Sequence, residues 1–210
     1  MKVPRPEGDF NWSSQQTALI LSGIFWGGLV SCVPAGIFAD RYGPKNILLI
    51  GMCVNTIGSV LTPVLTLNFG DKGLFLTRFV MGLGVGGFPP SVAALIGKWY
   101  PAREKSSAIA IYTGGTQISV MVTMPLASWL CQQRQFLSGW PSIFYVTGVF
   151  GFLCIILMFL IVTNSPEKNQ RISQSELDYI TVHLYSEENQ KKTSSRKVSY
   201  TYFIKNKTIN

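Results

Sequence analysis

Five long apolar runs separated by short polar breaks occupy most of the chain, at about 16–38, 47–67, 74–96, 108–131 and 143–162. Each approaches the ~20 residues that carry a helix across ~30 Å of hydrocarbon. Period-two alternation is absent and the runs are too long for membrane strands. The pattern predicts an all-α membrane protein with about five transmembrane helices. Residues 1–15 form a luminal or extracellular segment ahead of a membrane region at 16–163, and residues 164–210 turn polar. Within that last stretch, Ser173 and Glu176 have capping-box spacing, which predicts a short amphipathic helix ending near Leu184. The rest of the cytoplasmic linker reads as a disordered tail.

The break between the first two runs carries the densest chemistry. Gly36, Asp40, Arg41, Gly43, Pro44 and Lys45 fall within ten positions. Charges this dense do not stay in hydrocarbon, so two helices must turn here. Gly43 and Pro44 stop one helix and start the next. Asp40 and Arg41 then sit where they can lock helix ends together or let them part.

Charge sets the orientation. Arg41, Lys45, Lys98, Arg103, Lys105, Lys168 and Arg171 fall on one side, against Lys2, Arg5, Lys72 and Arg134 on the other. The excess of cations places the Asp40 turn, the 98–106 loop and the C-terminal tail in the cytoplasm. The N-terminus then faces the lumen or the outside, where Asn11, in the triplet Asn11-Trp12-Ser13, becomes a glycosylation acceptor. The second triplet, at Asn206, lies on the cytoplasmic side and stays unmodified. An odd number of spans with an outer N-terminus predicts a further helix ahead of Met1.

Composition agrees with a lipid solvent: 47% of residues are hydrophobic and 13% charged. The net charge of +8 raises nucleic acid as a partner, but it resides in short loops and the tail, with no aromatic-basic face. Cys32, Cys53, Cys131 and Cys154 fall within or at the ends of apolar runs. They read as small buried hydrophobes, with neither a disulfide framework nor a metal spacing. No cofactor is implied.

Two helices carry informative polar residues. In the third, Gly82 and Gly86 share a face and, with Gly84, permit close helix packing. Gly87, Pro89 and Pro90 then bend or loosen it. Arg78 lies about a turn inside the membrane. It either snorkels to the headgroups or stands as an interior cation for an anionic substrate, whose two oxygens match the guanidinium fork. In the fourth helix, 113–117 reads as packing, and Gln117 is the side chain able to reach a polar cavity. His183 reads as a surface residue. Paired intramembrane carboxylates and nucleophile–base spacings are absent from the runs, which argues against an enzyme.

The spacing Gly36-x-x-x-Asp40-Arg41-x-Gly43-x-Lys45 resembles the loop motif between the second and third helices of the major facilitator superfamily. Arg78-x-x-x-Gly82-x-Gly84 resembles that superfamily's fourth-helix motif, at the right distance. The stretches 99–106, 139–145 and 165–180 resemble its anion carriers, which include sialin, the vesicular glutamate transporters and the type I sodium-phosphate cotransporters. Invertebrate phosphate cotransporters of this branch look most alike.

The resemblance implies helices two to six of a twelve-helix fold, a partial N-terminal half-bundle. It implies a secondary active transporter of a small organic or inorganic anion, working by alternating access in ion-coupled symport, in the plasma membrane or a vesicle or lysosomal membrane. Asp40 would belong to a cytoplasmic gate, with Glu104 in a related loop, and Arg78 would serve anion recognition or coupling. Relatives often carry an acidic residue at the position of Val85, and the glutamate carriers a histidine at that of Leu21. With both apolar here, proton coupling through them is lost, leaving sodium or another mode. The alternative reading is a non-transporting membrane protein that binds a full-length carrier.

Overall fold

A computed structural model describes residues 12–132, 140–169 and 172–184. Helix α1 spans Ser14–Tyr42, α2 Pro44–Val85, α3 Phe88–Trp99, α4 Ala102–Gln132 and α5 Pro141–Ile161. A single 3₁₀ turn covers Pro166–Lys168, and a last helix, α6, covers residues 174–184. The expected capping-box region thus does begin a short helix, whereas Asn11 and the C-terminal tail lie outside the described residues.

Local chemistry explains each end of α1. The Ser13 hydroxyl accepts from the Gln16 backbone N–H at 3.2 Å, and the Gln16 side chain accepts from the Ser13 N–H at 2.9 Å. This reciprocal cap starts the helix ahead of its apolar run. At the far end a single residue, Gly43, separates α1 from α2. It takes φ 91°, a region costly for any residue with a Cβ, while its N–H caps the Ala39 carbonyl at 3.1 Å. Pro44 begins α2 where no intrahelical N–H is required.

The second and third apolar runs are less separate than their polar break predicts. Both lie largely in α2, interrupted only at Gly70 (φ 60°, ψ −134°). Here the chain reverses. Gly51 lies against the Gly84 carbonyl, the Asn55 amide donates to the Met81 carbonyl at 3.3 Å, and Gly58 meets Met81. These pairs close as the sequence approaches Gly70, so the two arms of α2 pack antiparallel. The third run ends its first helix at Gly86–Gly87 and resumes as α3, whose Pro89 and Pro90 sit in a first turn that needs no N–H donors.

Among the described residues, three stretches are long and apolar enough to cross a membrane: Ser14–Tyr42, Pro44–Trp99 and Pro141–Ile161. The middle one has 56 residues, enough for two crossings at ~1.5 Å per residue, and Gly70 divides it. Helix α4 has the length, at 31 residues, but not the apolarity. Its polar stretch at 113–117 dilutes the hydrophobic run expected there.

The chain forms two compact units. One holds Met1–Ala94 and Ile118–Val162, the other Leu95–Gln117 and Thr163–Asn210. In the first unit, α1 runs parallel to the second arm of α2. Gly23 faces Phe75, Gly27 faces Phe79, Ser31 faces Gly86 and Ala35 faces Gly87, all with nearly constant sequence offset. At this crossing backbone meets backbone: a Cβ on Gly82 would overlap the Ile24 carbonyl, and one on Gly27 the Phe79 carbonyl. Helix α5 runs antiparallel to the first arm, with Gly148 on Val60 and Gly151 on Thr56. The Lys45 ammonium ties the other end, donating to the Phe159 carbonyl at 2.9 Å and lying 5.1 Å from the Phe159 ring centre. A cation placed on the last turn of α5 also complements that helix's dipole.

In the second unit the Trp99 indole donates to the Thr163 carbonyl at 3.2 Å, and Ile180 of α6 is buried.

The distribution of side chains is that of a protein solvated by lipid. The largest wholly buried ones are Thr62, Thr66, Pro44, Pro63, Ser91 and Ser142, whereas Phe25, Leu29, Val33 and Ile111 are about 70% exposed. In water such an inversion would leave a large apolar surface wet. In lipid it is the expected order, with small residues inside and large apolar ones facing acyl chains. The Thr62 and Thr66 hydroxyls return to their own helix: Thr62 donates to the Gly58 carbonyl at 2.6 Å and Thr66 to the Thr62 carbonyl at 2.7 Å. The cysteines depart from the expectation of burial. Cys32, Cys131 and Cys154 are exposed and Cys53 half-buried, because they sit on outer helix faces where lipid, not protein, surrounds a thiol.

Three measurements check this packing. Gly82→Val should push α1 off α2 and lower stability by ~1–3 kcal/mol, read from the midpoint of a denaturing detergent titration. Gly70→Ala should cost ~1–3 kcal/mol by the same assay, since nothing crowds the site and only its backbone conformation objects. Lys45→Met should lose ~1–2 kcal/mol and slow cross-linking between cysteines placed on α2 and α5.

Candidate functional site

On the second arm of α2, Gly82, Gly86, Phe75 and Phe79 face α1, while Met81 and Gly84 face the first arm. At 100° per residue Arg78 falls between these two stripes. Its side chain therefore emerges toward α5. The guanidinium carbon lies 5.8 Å from the centre of the Phe144 ring. Trp140, at the start of α5, meets Phe144 edge-on, with centroids 6.0 Å apart and planes at 86°. That arrangement favours the edge of one ring against the face of the other.

Among the described residues Arg78 lacks an acceptor. Its Nε is buried and unpartnered, and among the described residues no carboxylate or carbonyl accepts from the guanidinium. The two Nη groups, equally without a hydrogen bond, keep access to the surroundings. A half-buried cation with free in-plane donors, inside a bundle that hydrocarbon surrounds, has the chemistry to accept an anion. The fork suits two oxygens of a carboxylate or phosphate.

The other singled-out residues lie elsewhere. Gln117 is exposed midway along α4, in the second unit, where no side-chain partner is formed among the described residues. Val85 is half-buried and Leu21 exposed, so neither departs from an apolar role. Around the turn, Gly36 makes ordinary contact with Pro90, at 3.6 Å for an added Cβ. Asp40 and Arg41 are exposed at the end of α1, and among the described residues neither side chain forms an ion pair. An apolar cavity of about 590 Å³ opens beside them, lined by Phe38, Tyr42, Asn46, Ile47, Leu49 and Ile50. Glu104, in the first turn of α4, accepts from the Tyr179 hydroxyl of α6 at 3.3 Å. It stabilises the N-terminus of its own helix and joins α4 to α6. His183 lies one turn along α6 from Tyr179, its ring 4.3 Å away.

Sequence reasoning singled out Arg78 but neither Phe144 nor Trp140. The signal was present, since both belong to the 139–145 stretch, yet nothing along the chain joins that stretch to position 78.

Comparison with known proteins places this geometry. The chain is 34% identical over 197 residues to the uncharacterized transporter slc-17.3 of Caenorhabditis elegans, covering 94% of this chain and 36% of that protein. It is 36% identical over 179 residues to a Drosophila melanogaster protein provisionally named an inorganic phosphate cotransporter, covering 85% and 34%. Sialin of Ovis aries is 30% identical, covering 81% and 34%. The chain thus spans about a third of the length of these relatives. Among solved structures, the inward-open xylose transporter XylE from E. coli superposes with a TM-score of 0.59 at 17% identity, covering 80% of this chain and 43% of that one. That likeness concerns the fold alone. The family model described as Major Facilitator Superfamily matches residues 4–208, so this multi-pass integral membrane protein, with its glycine-packed helices and the interior guanidinium of Arg78, belongs to the Major Facilitator Superfamily.

Proposed function

We propose that this protein serves the passage of a small organic or inorganic anion across a membrane by alternating access, as an ion-coupled symporter. The observation that carries the reading is Arg78: a guanidinium within a membrane-spanning bundle, with no acceptor among the described residues. Such a charge is costly unless something answers it, and a transported anion does so only while bound. The names of the phosphate cotransporter and sialin among the relatives support an anion over a neutral solute. Gln117 is a second candidate contact with the substrate.

The Asp40 turn supplies the gate in this reading. Gly43 gives a one-residue hinge, Lys45 anchors the α2 side to α5, and the exposed Asp40 and Arg41 keep their charges available for a changing partner. The coupling ion is sodium or a proton. Apolar Val85 and Leu21 leave no titratable group at those two positions, which removes them as proton carriers without selecting sodium. A carrier, not an enzyme, is the reading, supported by the transporters among the relatives and by the aromatic ring beside Arg78.

Uptake of labelled phosphate, sialate and glutamate into vesicles bearing the protein tests this. Arg78→Ala should lower uptake by at least ~10-fold, from the loss of a charge-assisted hydrogen bond of ~1.5–3 kcal/mol. Arg78→Lys should keep part of it, since the charge remains and the fork does not. Anion uptake indifferent to both substitutions would overturn the assignment.

A further inference from the structure

Resting on the anion role of Arg78, we infer that Phe144 is a positioning residue that stands where a counter-ion would otherwise be. A guanidinium in a low-dielectric bundle needs a partner, and the usual one is a carboxylate. A carboxylate would neutralise the charge and compete with any arriving anion for the same N–H groups. An aromatic face attracts the cation through its quadrupole without doing either. Here the ring of Phe144 lies 5.8 Å from the guanidinium carbon and is the partner formed by that group among the described residues.

The geometry assigns the division of labour within the guanidinium. The ring is an attractor without an acceptor atom, so it takes up none of the oxygen-seeking capacity of the N–H donors. Nε is walled off from solvent, and the Nη pair is not. The ring therefore holds the cation while leaving the Nη edge for two oxygens of an incoming phosphate or carboxylate. Trp140, edge-on to Phe144 at 6.0 Å, steadies the ring.

The placement is built into the helix contacts. Arg78 stands one turn before Met81, against which Gly58 of the first arm packs. Phe144 stands one turn before Gly148, which lets α5 approach the first arm of α2 at Val60. Residues three or four apart share a helix face. Two glycine contacts thus set the distance between the cation and the ring.

The test keeps shape and changes only the ring's electrons. Phe144 is replaced by mono-, di- and trifluorophenylalanine in the full chain, held in lipid nanodiscs with ¹⁵N-labelled arginine. The Arg78 Nε–H resonance is identified by its loss in Arg78→Lys. Inorganic phosphate is the probe. The expected result is an Arg78 signal displaced by the ring current, with the displacement lost in Phe144→Leu. Phosphate affinity should weaken stepwise with each fluorine, by about two- to fivefold across the series, and Phe144→Tyr should restore it. A residue that only fills space would give a flat series. A phosphate response at Arg78 that fluorination leaves untouched would overturn the Phe144 inference alone. No phosphate response at Arg78 in any version would remove the Arg78 reading, and the inference with it.

Discussion

Lipid gives an apolar side chain no reason to leave it, so the helices of this protein are held where backbones touch and where polar groups cannot stand alone. The crossing of α1 with the second arm of α2 shows the consequence most plainly. Gly27 and Gly82 press their Cα atoms against the opposite backbone, with Gly86 seated on Gly28 and Ser31 one turn further on. Large apolar residues, which would form the core in water, line the outside. The most deeply buried side chains are threonine, serine and proline, and glycines form the closest helix contacts. Every functional feature described depends on that inversion, because only closely approaching helices leave a narrow, well-defined space for a charge.

The charge in that space is the second constraint. Arg78 sits between two glycine-lined faces of one helix, so it has a single direction in which to project. It meets an aromatic ring and not a carboxylate. A fixed counter-ion would make the site stable and inert. A π face makes it tolerable and leaves it unsatisfied, which is what a site must be if it is to accept and release an anion repeatedly. In the proposed anion role, recognition rests on the donors in the guanidinium plane and not on neutralisation by the protein.

The turn at Asp40 obeys a different logic. Its charged residues are exposed, and its rigid parts are backbone features: a positive-φ glycine, a proline at the helix start and a lysine capping the C-terminus of α5. Lys45 therefore acts as an anchor within the first unit, while Asp40 and Arg41 remain uncommitted among the described residues. Glu104, in the second unit, is drawn instead to Tyr179 on α6. The residues that one motif groups along the chain thus divide into those that brace the bundle and those that stay free to change partners.

Run length, the absence of alternation and the glycine–proline turn are local properties, and each was readable before any fold was known. Arg78 was equally conspicuous, because one charge inside an apolar run needs no neighbour to be noticed. The one-residue turn at Gly70 was less visible: the polar residues around it suggested a loop, whereas helical hydrogen bonding persists up to the single residue that breaks it. The outward position of the cysteines was hidden too, since a run apolar all round does not reveal which face meets protein. Least visible was the ring against Arg78. Sixty-six positions separate 78 from 144, and their meeting depends on where Gly58 and Gly148 let the arms of α2 and α5 close. Contacts of that kind belong to the assembled bundle, because in lipid it is the depth of backbone approach, and not the hydrophobicity of the residue, that selects the neighbour.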